Sequence, residues 1–198
     1  MNALVLLFFL VLNFGISFWN AYAAGAYFTE SKIIGGWTRF ITWCALVMSA
    51  CGFTWVYLTL LTMGAVAGHW LTPEDGELMF KLGYLIIILP VLGSGFGLWI
   101  NSLVNAYRQR TFGNFAVAGW NTYAQFRNTW EAASNAPNFL RDVIDGLSSK
   151  NRKSSKDGAA AILLILLVIL AVAGGAITTG LIARWADRRV ALEVAHAN

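Results

Sequence analysis

Six neutral polar side chains stand inside stretches otherwise built from apolar residues, and their spacing groups them. Asn13, Ser17 and Asn20 recur at i, i+4 and i+7, while Ser94, Asn101 and Asn105 recur at i, i+7 and i+11. Each trio therefore lies on one helical face. An amide facing hydrocarbon is costly, which directs both faces toward protein or water. Two chemistries follow. The amides can hydrogen-bond between helices, at about 0.6 kcal/mol per bond, or they can line a hydrated path for neutral or bulky solutes. Mutual bonding is the simpler expectation, because six groups on two helices can satisfy one another.

Other reactive residue types are sparse. Cys44 and Cys51 sit seven residues apart, about 10.5 Å along a helix, beyond the roughly 7 Å that a disulfide spans. They read as small buried apolar residues. His69 and His196 are the only histidines, and His69 beside Trp70 suits a membrane-interface position. No metal-ligand spacing, phosphate loop or nucleophile motif is present. The expectation is therefore no metal, no cofactor, no catalytic residue and no enzymatic activity. Small residues recur four apart at Gly64 and Gly68, at Gly93 and Gly97, and at Ala171 and Gly175. That spacing lets helix backbones approach closely.

The elements that carry these residues follow from the distribution of charge. Only 12% of the 198 residues are charged and 58% are hydrophobic. Four stretches, 1–29, 40–73, 82–107 and 158–183, contain no Asp, Glu, Lys or Arg. Each exceeds the roughly 20 residues that cross a bilayer core as a helix. Backbone groups in lipid must bond internally, and an isolated run does so only as a helix. The expected fold is thus an all-α polytopic membrane bundle of four transmembrane helices, organised as a three-span region (1–105), a polar segment (106–158) and a fourth span with a short tail (159–198). A soluble globule and a disulfide-stapled secreted domain are excluded. The first stretch, with Ala21-Tyr22-Ala23, also resembles a cleavable signal peptide. It lacks the cationic start of one and contains Asn13, Ser17 and Asn20, so an uncleaved helix is expected; cleavage would leave three spans.

Lys and Arg counts orient the bundle. The loops on one side, including 106–158, carry ten, against four (Lys81, Arg184, Arg188 and Arg189) on the other. The cationic side belongs in the cytoplasm, which puts residues 106–158 in the cytoplasm and both termini outside.

Segment 106–158 has its own pattern. Trp120, Tyr123, Phe126 and Trp130 line one helical face, and Asn121, Thr122, Gln125, Asn128 and Thr129 line the opposite one, with Arg127 at the border. A break is expected at Ala136-Pro137, then a second helix, then a basic tether bearing Lys150, Arg152, Lys153 and Lys156. The aromatic face suggests an amphipathic helix lying in the membrane interface, with the tether on an anionic leaflet. Packing as a cap on the bundle, or against a partner, would use the same face. The basic run is too short and too distant from the rings for nucleic acid. Taken together, the residues point to a non-catalytic membrane protein that acts as an interaction, scaffold or accessory subunit. It would be a homo-oligomer or the partner of another membrane protein. An oligomeric channel or pore is the alternative.

Overall fold

The computed structural model describes residues 3–148 and 155–197, and all regular structure among them is α-helical. The helices are α1 (Ala3–Ala26), α2 (Phe28–Ile34), α3 (Gly36–Ala67), α4 (Pro73–Gln109), α5 (Phe112–Leu147) and α6 (Ser155–Ala197). Four segments within them are long and apolar enough to cross a membrane: Leu4–Ala26, Gly36–Ala67, Pro73–Gln109 and Ala159–His196. The protein is therefore an all-helical bundle compatible with a multi-pass membrane protein.

Local chemistry sets the boundaries. Gly35 and Gly36 adopt φ of 65° and 52° between α2 and α3, a region that glycine enters without steric cost. Thr72 caps α4 by accepting from the Asp75 N–H at 3.1 Å, and Pro73 occupies the first turn. The acidic Thr72–Glu77 turn thus opens the third span, nine residues before the uncharged run begins at Leu82.

α3 is the central element. α1 runs antiparallel to it, with the Phe14 and Phe53 rings 5.1 Å apart and Ser17 facing Ser49. α4 runs antiparallel on another side, where Gly83 meets Leu58 and Gly97 meets Cys44. α6 is antiparallel to α3 as well, with Gly175 against Ala50 and Thr54. It lies alongside α1 with Gly25 on the Ala183 backbone. Leu58, Ala65, Leu71, Met79, Leu164, Val168 and Ala171 form the core where α3, α4 and α6 meet.

α5 departs from the sequence expectation. It is one helix of 36 residues continuing through Pro137, rather than two helices broken at Ala136-Pro137. Packing on α4 on both sides of the proline accompanies this continuity. The Gln125 side chain donates to the Leu92 carbonyl at 3.3 Å, and the Phe139 ring lies 5.2 Å from that of Tyr84. Nor does α5 leave the bundle at right angles, as an in-plane interfacial helix would. A two-residue connection, Arg110-Thr111, joins it to α4, and short helix connections make antiparallel neighbours. Partners then descend in order: Thr122 with Trp99, Gln125 with Leu92, Phe139 with Tyr84, Asp142 with Lys81, and Gly146 with Leu78.

This return stroke moves α6. Because α5 ends beside the start of α4, α6 begins there and finishes beside α2. Arg184, which the charge count sets opposite Lys32, lines the same cleft as Lys32. Asp187 accepts from the Thr29 hydroxyl at 2.7 Å.

Candidate functional site

The two Asn/Ser faces do not bond to each other. In α1, the Asn13 side chain donates to the Gly52 carbonyl at 3.3 Å, and the Ser17 carbonyl accepts from the Ser49 hydroxyl at 2.7 Å. In α4, the Ser94 hydroxyl turns back to the Pro90 carbonyl at 2.6 Å, and the Asn101 oxygen accepts from the Trp37 indole at 3.1 Å. Asn105 is half-buried one turn further on. The intended pairing of amides gives way to bonds with α3, because α3 separates α1 from α4.

Between α1 and α4, with α3 as floor, runs a groove made of two recesses that share Asn20. One, of about 310 Å³, reaches Asn101 and Trp37. The other, of about 350 Å³, is lined by Asn13, Ser17, Tyr84, Asn128 and Glu131. The Tyr84 hydroxyl is buried there without a hydrogen-bond partner among the described residues. Among those residues no three His, Cys, Asp or Glu side chains converge on a possible metal position.

The glycines divide. Gly97 and Gly175 lie at helix contacts, Gly97 within 2.6 Å of the Cys44 sulfur by its absent Cβ. Gly64 and Gly93 face open space instead, and Gly68 ends α3 against its own turn. The small-residue spacing identifies a face that can pack but not which neighbour reaches it. Here α3 and α4 meet through Thr62 and Val66 on Gly76 rather than through Gly64.

In α5 the polar face is the inner one. Thr122 accepts from the Trp99 indole at 2.8 Å, Gln125 bonds α4, and Asn128 enters the recess. Trp120, Tyr123, Phe126 and Trp130 consequently point outward, Trp130 being 75% exposed. Lys150, Arg152 and Lys153 lie outside the described residues, as does the side chain of Lys156. At the border of the outward face lies an ion pair that the sequence reading did not single out, Arg127 pointing outward and Glu131 reaching the edge of the recess. Arg127 Nε stands 2.7 Å from Glu131 Oε1, with the side chains 59% and 41% exposed. Arg127 lies about 25 Å of helix from Arg110 and about 21 Å from Arg141, level with the middle of α4. The available signal was positional: a cation and an anion four apart in the middle of an otherwise uncharged amphipathic stretch.

No family model matches the chain. No curated protein and no solved structure matches it either.

Proposed function

We propose that the protein is a non-catalytic integral membrane subunit that works by lateral helix association, and that α5 is a fifth, amphipathic crossing which supplies the contact. One observation carries this reading: Arg127 sits outward at mid-height of the bundle among four aromatic rings, with its ion partner Glu131 at the border of that face. If α4 spans the bilayer, α5 at its side traverses the same depth. An arginine at the centre of a lipid-facing helix costs about 2.5–3.5 kcal/mol on insertion scales. Protein covering that face removes the cost. Trp120, Tyr123, Arg127 and Trp130 step by 3, 4 and 3, the spacing of a helix–helix seam. Glu131 stands one turn from Arg127 at the border of that seam, so in a second, parallel copy each charge has its opposite as the diagonal neighbour one turn away.

The fifth crossing is tested by thiol labelling. With α5 traversing, Phe112→Cys and Ser148→Cys react with a membrane-impermeant maleimide from opposite sides of sealed vesicles. Labelling of both from one side would remove the crossing and with it the argument from depth.

The contact is tested by co-capture of two differently tagged copies from mild detergent. Arg127→Glu alone and Glu131→Arg alone are each expected to reduce self-capture by about tenfold, the equivalent of 1.4 kcal/mol. Mixing the two variants restores capture, since each then faces complementary charge. Undiminished self-capture by either single variant, or no recovery on mixing two folded variants, would overturn self-association through this face.

The pore reading keeps one observation in its favour, the amide-lined groove with the buried Tyr84 hydroxyl. Leakage of a small neutral solute from liposomes, abolished by Asn101→Leu, would shift the balance to it.

A further inference from the structure

At the end of the bundle where α6 emerges, a second feature is built for a different occupant. A cleft of about 590 Å³ opens between α3 and α6, with α2 across its mouth. Its walls are apolar: Trp43, Leu46 and Val47 from α3 face Ala176, Gly180 and Ala183 from α6. The walls run for about 10 Å along each helix, from Trp43 to Ala50 and from Ala176 to Ala183. Gly180 keeps the cleft open, because a Cβ built there meets nothing within 4 Å. The mouth is polar, with Lys32, Arg184 and Asp187.

Position gives the mouth its meaning. Arg184 is the first charged residue after the uncharged run that ends at Ala183, so it stands where a spanning helix meets the headgroup layer. The Lys32 ammonium is steadied 4.3 Å over the Phe28 ring, a cation–π contact that fixes it at the rim. Asp187 is engaged on one oxygen by Thr29, which leaves the carboxylate able to accept a second donor.

We infer that this cleft is a binding site for a phospholipid, an acyl chain lying between α3 and α6 and the phosphodiester between Lys32 and Arg184. Two cations favour a net anionic lipid, each contributing electrostatically near the surface. The carboxylate beside them selects further for a headgroup bearing hydroxyl donors, as in phosphatidylglycerol, over the donor-free choline head. This inference uses neither α5 nor the oligomeric state, so it stands or falls separately from the proposed function.

The test uses the full chain reconstituted in bilayers of equal phosphatidylglycerol and phosphatidylcholine, extracted in mild detergent, with retained lipid counted by mass spectrometry. Retained phosphatidylglycerol is expected to exceed phosphatidylcholine by roughly tenfold. Lys32→Gln with Arg184→Gln removes the preference but leaves lipid retained. Gly180→Phe fills the cleft without touching the charges and expels both lipids, while the thermal midpoint stays near that of the wild type. Retention in the bulk ratio by the wild type, or unchanged retention by Gly180→Phe, would overturn the assignment.

Discussion

Gly175→Val is expected to lower the thermal midpoint of the detergent-solubilised protein by of the order of 10 °C, read by tryptophan fluorescence. A Cβ at this position would meet the Thr54 hydroxyl, and would come within 2.6 Å of the Ala50 carbonyl oxygen and 2.7 Å of the Thr54 nitrogen. Backbone atoms in a helix cannot step aside, so α6 itself must move. Overpacking costs about 1–3 kcal/mol where side chains can give way, and more where they cannot. The displacement also breaks two hydroxyl–hydroxyl bonds that tie α6 to α3, between Tyr57 and Thr178 at 2.7 Å and between Ser49 and Thr179 at 3.1 Å. Those add about 0.6 kcal/mol each. For a chain of this length each kcal/mol shifts the midpoint by about 2–4 °C. The control lies five residues along the same helix: Gly180→Val meets open space and should leave the midpoint nearly unchanged. Equal midpoints for the two variants would show that α6 does not pack as described.

The second large effect is at Leu58. This side chain is fully buried where α3, α4 and α6 converge, and its methyl groups rest in the space left by Gly83. Leu58→Ala is expected to destabilise by about 2–5 kcal/mol through lost contacts and the cavity left behind. Gly83→Ala alone should destabilise too, because its methyl group collides with Leu58. In the Leu58→Ala background that collision disappears and the added methyl group fills part of the void. The double variant is thus expected to be more stable than the sum of the singles by about 1–2 kcal/mol. Strict additivity in a double-mutant cycle would mean that the two residues are not neighbours.

How much of this was legible depended on whether the signal was local. The four apolar helices could be read directly, since the absence of charge over twenty or more residues needs no neighbour to interpret it. The start of α4 was partly legible, through the Pro73-Glu74-Asp75 turn. The course of α5 was not. Its aromatic row reads as a surface that seeks the membrane interface, and the row does stay exposed, but the partner of its polar face lies far away in sequence. In the fold, Thr122, Gln125 and Asn128 find their partners on α4 and in the recess, so the polar face is satisfied by protein. The placement of Arg184 beside Lys32 was not legible for the same reason, since where α6 begins depends on where α5 ends. The glycines failed for a related reason. Gly64 and Gly97 each belong to a glycine pair four residues apart, and only the packing of α3 on α4 distinguishes one that faces open space from one that touches Cys44.

Burying its amides against a neighbour has a consequence for how α5 is made. Of the five long helices it is the least hydrophobic. In the proposed five-crossing arrangement, it would enter as the second arm of a hairpin, drawn in by Trp99, Leu92 and Lys81 once α4 is seated. An arm left outside would then reverse α6 and carry Arg184 to the other face. The polarity of the last helix would in that arrangement be decided during synthesis by the weakest hydrophobic arm.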